Sequence, residues 1–144
     1  MENKLTGLQA FNAMTLYLDK YYILTNSDDI GSLLGGFQLF EEGGTWDPAA
    51  WHDWIDSINK TLDIKNEKNK IEEGLTVSQS FKAMILFLEK YYELTSYNDI
   101  AIILTPLYDF EKNQNLNSPI WKNWIECVNK VLRENYQNIG SLII

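Results

Sequence analysis

The sequence predicts an all-α protein built as two tandem three-helix modules packed into one bundle-like body. Three observations carry that expectation: the chain matches itself at a fixed offset, each copy opens on a capping box, and each ends on a tryptophan stripe at helical spacing. Sliding the sequence by 70 residues lays Leu5–Leu62 over Leu75–Leu132 without a gap, and 24 of the 58 paired positions are identical. That is an internal duplication.

The first element of each copy starts at Thr6-x-x-Gln9 and Thr76-x-x-Gln79. There a hydroxyl and an amide satisfy backbone groups that a first helical turn leaves unpaired. Phe11, Met14, Leu18 and Tyr21 or Tyr22 follow at helical spacing, repeated as Phe81, Met84, Leu88 and Tyr91 or Tyr92. Helices are predicted over 7–25 and 77–95, each with one apolar stripe.

A short second helix is predicted over 28–34. Ser27 supplies a capping hydroxyl, Asp28 and Asp29 suit the positive end of the dipole, and Gly35-Gly36 ends the run. Its counterpart begins at Asn98-Asp99 and is expected to stop at Pro106. Phe37–Phe40 and Leu107–Phe110 read as extended or irregular, at most a minor strand.

The third helix has the clearest start, Asp47-Pro48 in one copy and Ser118-Pro119 in the other, a capping side chain followed by proline at the first helical position. Trp51, Trp54, Ile55, Ile58 and Leu62 then form a stripe matched by Trp121, Trp124, Ile125, Val128 and Leu132. These faces are expected to be buried, over helices 48–62 and 118–132.

The chain thus divides into module 1 at 5–62, a charged connector at 63–74, module 2 at 75–132 and a tail at 133–144, whose apolar end Leu142–Ile144 is expected to pack on the body. A unit of 58 residues is marginal alone, so one merged core is expected, arranged about a pseudo-two-fold axis or side by side.

Bulk chemistry narrows the function. A net charge of −8 opposes binding to nucleic-acid phosphates and favours a basic partner. The single Cys127 allows no internal disulfide, no secretory signal or membrane-length apolar run is recognised, and a reducing cytoplasm is the expected home. His52 is the only histidine and is expected on the face opposite the tryptophans. With one histidine and one cysteine, no nucleophile pair or usual zinc set can be assembled. The glycines form no phosphate-cradling motif. No catalytic residue, metal or cofactor is predicted, and the chain is read as a non-enzyme.

The two copies differ in charge. Module 1 carries eight acids against two lysines, a net −6, and module 2 six acids against five lysines, a net −1. Either the surfaces have drifted since duplication, or the acidic copy faces a partner while the other scaffolds; on the second reading the acidic copy is the candidate partner face. Its candidate residues are Asp28, Asp29, Glu41, Glu42, Asp53 and Asp56. Trp46 either packs on Trp51 as a hydrophobic staple or serves a partner as an aromatic anchor.

The strings Ala13-Met14-x-x-Tyr17-Leu18-x-x-Tyr21-Tyr22, Ser27-Asp28-Asp29-Ile30-Gly31-x-Leu33-Leu34-Gly35 and Asp47-Pro48-Ala49-Ala50-Trp51-x-Asp53-Trp54 carry a further signal. Together they resemble a family of CdiI-type immunity proteins of bacterial contact-dependent growth inhibition. The resemblance spans module 1 and, more loosely, module 2, which departs at Tyr97-Asn98, at Ala101 in place of the glycine, at Thr105-Pro106 and in the weakened Asn117-Ser118-Pro119 segment. It implies a cytoplasmic antidote that binds a cognate toxin domain, often a nuclease, and blocks it. A non-catalytic adaptor or self-associating structural protein is the alternative.

Overall fold

The computed structural model describes residues 4–63 and 74–143, with side chains as far as Glu134. The protein is all-α: α1 Gly7–Thr25, α2 Asp28–Gly36, α3 Pro48–Leu62, α4 Val77–Thr95, α5 Asn98–Asn113 and α6 Pro119–Ile143. Two isolated β-bridges, Leu5 with Leu75 and Leu39 with Thr45, are the extended pairings among the described residues. None of the described helices is long and apolar enough to cross a membrane.

Both capping boxes form. The Gln9 amide N–H donates to Thr6 Oγ1 at 3.0 Å while the Thr6 N–H donates to Gln9 Oε1 at 2.8 Å. The same exchange at Thr76 and Gln79 spans 2.9 and 3.1 Å. α1 and α4 end alike, on Asn26 and Ser96 in the left-handed region. Asp47 caps α3 through the Ala49 N–H at 3.1 Å, with Pro48 at the first helical position.

The third helices are exchanged in their packing. α1 lies most extensively against α6, and α3 against α4, so the first helix of each repeat is covered mainly by the last helix of the other. The buried apolar residues join into one cluster running from Leu5 to Val131.

Aromatic contacts express the same pattern. Trp54 meets Phe11 of its own repeat at 5.6 Å and Phe87 of the other at 5.6 Å. Trp124 meets Phe81 at 6.0 Å and Tyr17 at 6.1 Å, and these are the positions 70 residues away. Each indole N–H donates to the first turn of its own repeat, Trp54 to the Gly7 carbonyl at 2.9 Å and Trp124 to the Val77 carbonyl at 3.3 Å. Large edge-to-face rings with their polar edge satisfied suit a core of this kind.

The expected core is therefore present, with one gradation. Phe11, Met14, Leu18 and Trp54 are buried, as are Phe81, Met84, Leu88 and Trp124, while Trp51, Ile55, Trp121 and Ile125 are half-buried at the margin.

Three expectations need correction. α5 does not stop at Pro106 but continues to Asn113, so Leu107–Phe110 is helical and not extended. Ile100, Ile103, Leu104, Leu107 and Phe110 are all buried, and that continuous apolar stripe outweighs the proline. Proline frees only the Ile102 carbonyl, and Ile102 faces solvent. The last helix does not end at 132, because α6 runs on to Ile143 through most of the tail. Trp46 does not staple Trp51: its ring packs on Phe40, and Trp51 turns inward to Phe11 at 5.5 Å. Most of the connector, and the apolar side chains of the tail, lie outside the described residues.

Candidate interaction surface

The predicted partner residues fall on three elements. Asp28 and Asp29 occupy the first turn of α2, where Ser27 Oγ accepts from the Ile30 N–H at 3.2 Å. Asp28 is exposed and Asp29 half-buried. Their placement on the positive end of the helix dipole stabilises the helix whatever else they do.

Asp53 and Asp56 lie on the outer side of α3, the first half-buried and the second exposed. With Lys60 they face Glu89, Lys90 and Glu93 of α4 across a cleft of about 230 Å³. Glu89 and Glu93 escaped the sequence reading because only the exchanged packing brings α4 beside α3. His52, exposed as expected, stands 3.6 Å from Asp56 one turn away.

Glu41, Glu42 and Trp46 share the loop between α2 and α3. The Trp46 N–H donates to the Gln38 carbonyl at 2.7 Å and the Asp47 N–H to the Gly36 carbonyl at 3.0 Å. The Phe40 N–H donates to the Gly44 carbonyl at 3.0 Å, and the Gly43 N–H to the Phe40 carbonyl at 3.1 Å. Gly43 and Gly44 turn the chain at φ +97° and +81°, which glycine adopts without a steric penalty. Thr45 is buried beneath the loop, its hydroxyl donating to the Asp47 carbonyl and accepting from the Trp51 N–H. The loop is thus a pinned hairpin.

Its outer surface is aromatic and acidic. Trp46 is 67% exposed and Phe40 45% exposed, with ring centroids 5.6 Å apart, and Glu41 and Glu42 project from the turn between them. Leu39 adds a further exposed apolar side chain. Phe40 was not singled out from the sequence. The signal was available in Gly43-Gly44 between two aromatic residues, which marks a turn that sets flanking side chains at its rim.

The base of the hairpin and α3 act on the same neighbour. Tyr91 of α4 has its phenol pushed up to about 12, first by burial and then by the negative charges of Asp47 and Asp53. The geometry leaves a charged and partly apolar surface exposed on the first repeat. Family models, curated proteins and solved structures give no match to the chain.

Proposed function

We propose that the chain is a cytoplasmic immunity protein that binds a basic toxin domain, such as a nuclease, through the acidic surface of its first repeat and thereby blocks it. One observation supports the reading above others. Asp28, Asp29, Glu41, Glu42, Asp53 and Asp56 all reach solvent, and among the described residues none is paired with a lysine or arginine. A surface on which carboxylates outnumber cations attracts a groove built to hold phosphates, and raises the rate of encounter with it. Acids that serve only solubility need no such concentration in one half of a duplicated body.

The test is charge reversal in two sets, Glu41→Lys with Glu42→Lys and Asp53→Lys with Asp56→Lys. Affinity for the toxin domain encoded by the adjacent gene is measured at two salt concentrations. The expected result is weaker binding with a shallower salt dependence in at least one set, in variants that melt as the parent does. Unchanged affinity and salt slope in both would move the site off the acidic face, to the second repeat or the groove between the repeats, and no binding by the parent would leave an adaptor or self-associating protein as the better reading.

A further inference from the structure

The two repeats treat the same phenylalanine in opposite ways. Phe40 and Phe110 are equivalent positions, 70 residues apart. Phe110 is only 5% exposed, stacked on Trp121 at 4.8 Å with the rings nearly parallel at 7°, and it closes the end of α5 against α6. Phe40 is lifted out of the core, 45% exposed, and rests on Trp46 at the surface. Contact with the α3 tryptophan has been given up for an exposed ring, because the first repeat ends α2 at Gly36 and forms a hairpin where the second continues as helix.

Exposing two neighbouring aromatic rings forfeits much of their burial. The hairpin that presents them is held by backbone bonds on both sides and by the buried Thr45 hydroxyl, so the rings are displayed on a rigid support. A preorganised aromatic pair loses little conformational entropy on docking and is the side-chain type that most often dominates binding energy. Glu41 and Glu42 flank the pair with two carboxylates, which matches a socket lined with apolar groups and rimmed with lysine or arginine.

We infer that the Phe40–Trp46 pair is the anchor of the complex, inserting into an apolar socket with a basic rim on the partner domain, one partner to each chain. The single copy follows from the structure of the second repeat, where Leu116 replaces Trp46 and Phe110 is committed to the core. This rests on the antidote reading, which supplies the basic partner.

Calorimetric titration of the full chain with the adjacent gene's toxin domain tests it. Parent protein binds at one to one. Trp46→Ala and Phe40→Ala each weaken binding by at least about 30-fold, with salt dependence unchanged because no charge is removed. Trp46→Phe restores part of the loss, and Leu116→Ala, at the equivalent exposed position, leaves affinity as in the parent. Thermal melting confirms that each variant is folded. If parent binds while the two alanine variants stay within about twofold of it, the anchor is overturned and the antidote reading stands on its charges alone. A stoichiometry of two partners per chain overturns the single anchor in the same way. No binding by parent overturns both.

Discussion

Leu5 and Leu75 donate their backbone N–H groups to each other's carbonyl oxygens, both at 2.8 Å, and they are the same residue of the repeat. A residue that pairs reciprocally with its own equivalent lies on a local two-fold axis. The Trp54 and Trp124 contacts obey the same operation, so the body is organised as a homodimer would be, with its two subunits in one chain.

Gly74 sits beside that pairing at φ +88°, and a Cβ added there would stand 3.0 Å from the Leu5 carbonyl oxygen. Gly74→Ala therefore meets both a backbone conformation that favours glycine and a clash at the bridge. The expected loss of stability is about 1–3 kcal/mol in chemical unfolding. A variant as stable as the parent would show that the bridge contributes little.

Trp54 is fully buried, bonded through its indole N–H, and packed between the first helices of both repeats. Trp54→Ala should cost about 3–5 kcal/mol, a large part of the stability of a domain this size. Trp46→Ala should change stability by less than about 0.5 kcal/mol. Equal effects of the two substitutions in denaturant titrations would contradict the division into core and surface tryptophans.

Burial, reinforced by the neighbouring Cys127, pushes the Tyr17 phenol from its ordinary 10.0 up to about 12. Tyr91 is raised to about 12 in the same direction. Between those values the folded chain keeps protons that the unfolded chain has released, so stability is intact below pH 10 and declines as pH rises towards 12. Ultraviolet absorbance of tyrosinate should resolve a late-ionising class among the eight tyrosines, coupled to alkaline unfolding. All eight ionising together near 10 with the fold intact would refute the burial of these two.

What was legible in the sequence was what local chemistry decides. Thr6, Thr76, Asp47 and Pro48 announce helix starts because caps act within one turn, and those starts stand where expected. Pro106 misled, since its local cost is outweighed by a stripe whose partners are remote in sequence. The exchange of α3 and α6 was invisible for the same reason: apolar periodicity gives the buried face but not its neighbour. At the candidate surface, acids were recognisable by their distance from the stripes, whereas the exposure of Phe40 depended on which repeat bends into a hairpin. The sequence treats Phe40 and Phe110 alike, and the backbone separates them.

The exchanged third helices also set the order in which the protein can form. A nascent chain that has emerged only as far as Leu62 can offer Trp54 only Phe11 and not Phe87 on the other side, and its α1 lacks α6. Neither half can close its interior during synthesis before the other exists, and pairing over such sequence separation slows folding relative to a bundle of local contacts. Ribosomal release of the second tryptophan helix is the step that completes both halves at once, so the packed body is tied to a single late event.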